Sequence, residues 1–243
     1  MLNTIKATRL FSMVLFFCLI FPVTGYALSD EGQEVSPAEK QKIFEKLHEL
    51  SKSTFAIIAT VNQEKQLVML KEKILVDGTV TMKKPDMFRW EMVRPAKSIT
   101  VIDGEEMTVY TPESKEAQVY SLSDNTMART TMKFFSTTMW GAITEMEKRF
   151  AVKTFRKDGE IVLKLTPLSK MVGKYLSSII IYYDGDTGLP HGFEMITPKS
   201  DKTVTKLSNI KVNPDIKPDV FKLTLPEDVW VTNNSDRSRN GIE

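Results

Sequence analysis

The sequence predicts a mainly β fold with helices (α+β): one long curved antiparallel sheet with two helical segments against it. Three observations predict this. Four Asp-Gly dipeptides, Asp77-Gly78, Asp103-Gly104, Asp158-Gly159 and Asp184-Gly185, each stand between runs rich in Val, Ile, Thr, Tyr or Phe. Asp-Gly supplies the positive φ angles of tight hairpin turns, so four copies argue for a hairpin meander over parallel crossovers. One stretch before the first strand carries a helix-start signature, and residues 130–150 return to helical spacing late in the chain. Each helix must bury its apolar stripe, and the concave face of the sheet is the available partner.

In chain order, residues 1–27 read as a secretory signal peptide. Lys6 and Arg9 form a basic head, Leu10 to Phe21 is apolar apart from Ser12, and Gly25-Tyr26-Ala27 offers a cleavage site after Ala27. The apolar run is shorter than the roughly 20 residues a membrane span needs. Cleavage removes Cys18, the only cysteine, so disulfides and Cys-based metal sites are excluded from the mature chain. It also removes both charges behind the formal +2, which leaves 31 basic and 31 acidic residues. That balance gives no electrostatic footprint for nucleic acid.

Residues 28–243 contain no Pro/Gly/Ser linker or repeat and read as one domain, with a loose leader over Leu28 to Val35 and a polar tail from about 233. Ser36-Pro37-Ala38-Glu39 opens a helix: Ser36 caps, Pro37 suits the first turn and Glu39 completes the capping box. Ile43, Phe44, Leu47 and Leu50 then make its apolar stripe. Strands are expected near 54–62, 66–76, 79–84, 86–93, 97–103, 106–111 and 116–121. Others follow near 151–157, 160–166, 175–184, 190–197, 202–210 and 220–225. Between the two groups, Met132, Phe135, Met139, Ile143, Met146 and Phe150 recur at intervals of three and four.

Catalytic motifs are missing. There is no His-Glu-x-x-His, Gly-x-Ser-x-Gly, phosphate-cradling loop or dinucleotide fingerprint, and His48 and His191 are the only imidazoles. The expectation is a protein that is not an enzyme and holds no metal or cofactor. Large soft side chains are more informative, since eleven of the 13 Met, nine Phe and all three Trp remain after cleavage. Met adapts to variable apolar shapes. Alternation puts Phe88, Trp90 and Met92 on one face of their strand, and Ile99 and Val101 are expected to join them across the next hairpin. On composition alone these residues fit a packed core better than an adaptable wall. Lys83, Lys84, Arg89, Arg94 and Lys97 form a basic row read as a solvated outer face, with Lys84 set apart by Pro85 behind it.

The run Met82-Lys83-Lys84-Pro85-Asp86-Met87-Phe88-Arg89-Trp90-Glu91 resembles the periplasmic outer-membrane lipoprotein carrier family, the LolA type. The order of basic residue, Pro, Phe and Trp continues into Pro95, Asp103-Gly104, Tyr110-Thr111-Pro112, Leu165-Thr166-Pro167 and a closing Phe221 to Val231 stretch. The resemblance implies an unclosed antiparallel β-barrel with a helical lid over a hydrophobic cavity. It implies a periplasmic monomer with acylated lipoproteins as cargo. Its partners would be an inner-membrane lipoprotein-releasing ABC transporter and an outer-membrane lipoprotein acceptor. The lipid-cavity residues are then Phe88, Trp90, Met92, Ile99, Val101, Phe135, Met139, Ile143 and Met146. Lys84 maps onto the basic position that latches the lid, where well-known members carry Arg; Lys lacks Arg's planar fork. Thr108 departs from an aromatic common in the family after Asp-Gly. Paralogues on the same architecture carry other lipids or act as lipid-sensing modules, and those readings stay open beside the carrier.

Overall fold

The computed structural model describes residues 32–123, 140 and 143–234. The signal peptide, Phe135, Met139 and the tail beyond 234 lie outside the described residues, and so does the side chain of Ile143. The first half of the described chain runs β1 (Gln33–Glu34), α1 (Pro37–Lys52), β2 (Ala56–Gln66), β3 (Ile74–Lys83), β4 (Met87–Arg94), β5 (Ser98–Ile102), β6 (Glu106–Thr111) and β7 (Glu116–Ser121). The second half runs α2 (Ile143–Met146), β8 (Phe150–Lys157), β9 (Glu160–Pro167), α3 (Lys170–Gly173), β10 (Ser178–Asp184), β11 (Pro190–Ile196) and β12 (Lys202–Val212). A 3-10 turn at Pro218–Phe221 and β13 (Trp230–Asn233) complete it. These strands form one 13-stranded sheet in the order β13-β7-β6-β5-β4-β3-β2-β12-β11-β10-β9-β8-β1. Every neighbouring pair is antiparallel except β13 with β7, so the sheet is mixed, and it does not close.

Three of the four Asp-Gly pairs turn the chain as expected. Asp158 and Gly159 take φ +48° and +85° between the paired residues Lys157 and Glu160, the two-residue hairpin that a twisted ladder favours. Asp103 Oδ1 accepts from the backbone N–H groups of Glu105 and Glu106. Asp184 Oδ1 accepts from the N–H groups of Asp186 and Thr187, and Gly188 supplies the positive φ there.

Asp77-Gly78 is the exception. It lies inside β3, where the register with β4 shifts between the two residues, and the expected strands 66–76 and 79–84 become one. The chain turns over 67–73 instead. Glycine is needed at 78 for close approach: a Cβ there would sit 2.2 Å from the Glu91 carbonyl oxygen. Asp77 is pinned from both sides, by Asn62 Nδ2 at 2.8 Å and by Arg94.

Both ends of the chain also differ from expectation. Gln33 and Glu34 of the leader pair with Arg156 and Phe155. The strand expected over 220–225 is replaced by the 3-10 turn, and the last strand falls at Trp230–Asn233, where the polar tail was expected to begin.

Ser36 caps α1, its Oγ accepting from Glu39 N–H at 3.3 Å with Pro37 in the first turn. Ile43, Phe44 and Leu47 are buried against Ile161, Leu163 and Leu165 of β9 and Ile179, Ile181 and Tyr183 of β10. Each buried side chain contributes about 2 kcal/mol. Leu50 closes the contact over Gly188, where an added Cβ would lie 2.8 Å from its Cδ1. The face of the sheet that carries α1 is called the inner face below.

Candidate functional site

Register defines the inner face of the other half of the sheet. Phe88 pairs with Met82 and Ile102, Trp90 with Val80 and Thr100, and Met92 with Gly78 and Ser98. Directly paired residues share a face, so the wall continues through Val80 and Met82 to Ala59 and Ile57, and through Val61 to Leu207. Phe193 joins it to the α1 half, because it packs against both clusters. Buried Ile57, Ala59, Val61, Val80, Met82, Phe88, Ile102 and Trp140 form the base of this wall. Trp90, Met107, Leu122, Leu189, Phe193, Leu207 and Ile210 pack on it while keeping part of their surface open.

Phe88, Trp90 and Met92 therefore share one face. Ile99 and Val101 do not join them. Met92 lies opposite Ser98, so even-numbered residues of β4 share a face with even-numbered residues of β5. Val101 and Ile99 point outward, packed with Ala56, Ile216 and Phe221 under the 3-10 turn. Arg89 fastens that cover, donating from Nη1 to the Val220 carbonyl at 3.1 Å and pairing with Glu91. Met146 is buried, but in the cluster beneath α1 and not on the Phe88 wall.

Lys84 sits where α1 ends. Its Nζ donates to the Ser51 carbonyl at 3.2 Å and stands 5.2 Å from the centre of the Trp140 ring. A cation at a helix C-terminus is favoured by the aligned peptide dipoles, and a ring face adds cation–π attraction. Burial pulls the Lys84 ammonium pKa below its ordinary value. The contact joins the end of α1 to Trp140 at the base of the apolar wall.

Sequence reading missed two features of the inner face. The wall residues of β2 and β3 carry a clear signal, since Ile57, Ala59 and Val61 alternate with half-exposed or polar neighbours. The polar continuation carries none: Gln63 and Lys65 are 7% and 2% exposed on the same face, with Gln63 Nε2 donating to Thr205 Oγ1 at 2.7 Å. Neither histidine forms part of the wall. His48 is exposed, and His191 Nε2 lies 3.0 Å from Glu160 Oε1.

Comparison with known proteins fits this geometry. The family described as "Outer membrane lipoprotein carrier protein LolA" matches residues 52–224. A Chromohalobacter salexigens protein named outer-membrane lipoprotein carrier protein is 24% identical over 151 residues, 62% of this chain and 68% of its own. A Bordetella avium protein of the same name is 27% identical over 155 residues, 63% of this chain and 69% of its own. Among solved structures, an uncharacterized conserved protein from Thermus thermophilus shares the fold, with a TM-score of 0.51 at 16% identity over 81% of this chain and 99% of its own.

Proposed function

From its membership of the LolA family, to which this chain belongs, we propose that it is an exported, non-enzymatic carrier. It shields the acyl chains of lipoproteins against the inner face of its sheet and takes them from the inner to the outer membrane. The observation that carries this reading is the half-open wall of Trp90, Met107, Leu122, Phe193, Leu207 and Ile210 over a buried apolar base. Each acyl CH₂ removed from water is worth about 0.8 kcal/mol, so a triacylated chain does not cross an aqueous gap unshielded. Binding of this kind requires burial and release, not reacting groups. Polarisable Met and aromatic side chains suit cargo of variable shape. The partners that follow are acylated lipoproteins, the transporter that releases them and the acceptor that receives them.

Lys84 acts in this scheme as a latch: it holds the α1 terminus to Trp140 while the wall is empty. Cargo burial must then offset the cost of opening, as for any ligand that selects a minor state.

The test is to add the purified protein to spheroplasts that retain a triacylated lipoprotein. The expected result is a soluble one-to-one complex with the lipoprotein, and slower release of that cargo by Lys84→Leu, because losing the latch removes part of the cost of staying open. Lipoprotein that stays with the membrane in the presence of folded protein contradicts the carrier reading. Unchanged release by Lys84→Leu contradicts the latch alone.

A further inference from the structure

We propose that one end of the sheet docks on an anionic membrane surface. The connections 67–73, 168–177 and 197–201 emerge at the same end, because Gln66 pairs with Lys202, Ile196 with Ser178, and Leu165 with Ile179. They are tied to one another and to the ladder: Val68 N–H donates to Asp201 Oδ1 at 2.9 Å, and Ser177 N–H to the Ile196 carbonyl at 2.8 Å. Strands β2, β12, β11, β10 and β9 stand in a row there, about 19 Å across at the usual strand spacing.

This end collects exposed apolar side chains. Met69 is 88% exposed, Met171 73%, Val68 66% and Leu168 60%, with Tyr175 at 52% beside them. Leu168, Met171, Val172 and Tyr175 recur at helical spacing around α3, so they crest one side of a short turn capped by Ser169. None of these groups is needed for the inner wall, and keeping them in water is unfavourable unless something covers them.

Charge identifies what covers them. Lys71, Lys170, Lys174 and Lys199 are exposed between the apolar tips, and among the described residues none of the four makes an ion pair. Elsewhere on the surface Lys52, Lys115, Lys148, Lys153 and Arg156 each meet a carboxylate, while exposed Lys42, Lys97, Lys206, Lys211, Lys217 and Lys222 make no ion pair among the described residues. What sets this end apart is therefore free ammonium groups interleaved with exposed apolar tips. The three connections together hold five lysines against Glu72 and Asp201, in a mature chain whose overall balance is zero. Apolar tips for the acyl boundary, ringed by unpaired ammonium groups for the headgroups, are the pattern of a surface that rests on anionic lipid. The inference does not depend on what the inner face binds.

The test is flotation of the purified full-length expression product, in its exported form, with two kinds of vesicle. One kind is phosphatidylcholine alone and the other is phosphatidylcholine mixed with phosphatidylglycerol. Binding is expected to the mixed vesicles only, and to weaken as salt is raised. Both Met69→Asp/Met171→Asp and Lys170→Glu/Lys174→Glu should weaken it by about tenfold or more. Phe55→Asp, at an exposed apolar position on the opposite end, should leave it unchanged. Failure to float with mixed vesicles overturns the proposal, as does flotation that ignores salt in the unsubstituted protein. Because salt dependence needs no variant, a misfolded substitution does not rescue the idea.

Discussion

Trp90 and Ile99 sit in adjacent register pairs, Trp90 with Thr100 and Glu91 with Ile99, on opposite faces of the same hairpin. Both are half-buried, so truncating each separates a role in binding from a role in stability. A tryptophan presents about 200 Å² of side chain. With roughly two thirds of it already packed, about 70 Å² remains to meet an acyl chain, worth about 1.7 kcal/mol at 25 cal/mol per Å². Trp90→Ala should therefore weaken acyl binding about 20-fold. Ile99→Ala should leave affinity unchanged, although it loses roughly 1–2 kcal/mol of stability with its outward contacts. The assay is titration with a fluorescent fatty acid, alongside denaturant unfolding to confirm that both variants are folded at the working temperature. Equal affinity in both variants, or a loss confined to Ile99→Ala, refutes the assignment of faces.

Gly78→Ala should destabilise by roughly 2–3 kcal/mol in denaturant unfolding, because its Cβ meets the Glu91 backbone oxygen and backbone cannot swing aside. Gly173→Ala, with open space around the new methyl, should change stability little. Lys202→Met should cost about 3 kcal/mol, since it strands the Glu194 carboxylate that Lys202 Nζ meets at 2.6 Å and Tyr182 OH at 3.0 Å. Adding Glu194→Gln should recover much of that loss. Burial raises the Tyr120 phenol to about 12 and pushes Tyr183 well above its ordinary value. A raised folded pKa gives stability that is complete below the unfolded value near 10 and is lost as pH climbs past it. Unfolding free energy should therefore fall from about pH 10 upward, and Tyr120→Phe with Tyr183→Phe should flatten that fall; an unchanged profile counts against the two phenols as its source.

The hairpins at Asp103, Asp158 and Asp184 are legible in the sequence because turn geometry is local: a side-chain cap or a pair of positive φ angles needs only neighbours in the chain. The α1 helix is legible for the same reason, through Ser36, Pro37 and an apolar stripe. Asp77-Gly78 misleads because the same dipeptide serves a different need when a neighbouring strand presses on the backbone. That pressure comes from Glu91, on the next strand, and leaves no local mark. Ile99 and Val101 face outward against expectation because Ser98 to Ile102 holds apolar residues of both parities; only the pairing of Met92 with Ser98 decides between them. The short strands β1 and β13 are exposed throughout. With one exposed position after another, they carry no alternation to read, and their pairing rests on backbone hydrogen bonds that any sequence supplies.

In the proposed carrier, acyl chains lie against the inner face of the sheet. A synthetic triacylated lipopeptide carrying a photoreactive group near the end of one acyl chain tests it most directly, with the adducts mapped by mass spectrometry. Adducts are expected on inner-wall residues such as Trp90, Met107 and Leu207. Adducts confined to the outward residues Ile99, Val220 and Leu223, or no adduct with folded protein, would contradict it.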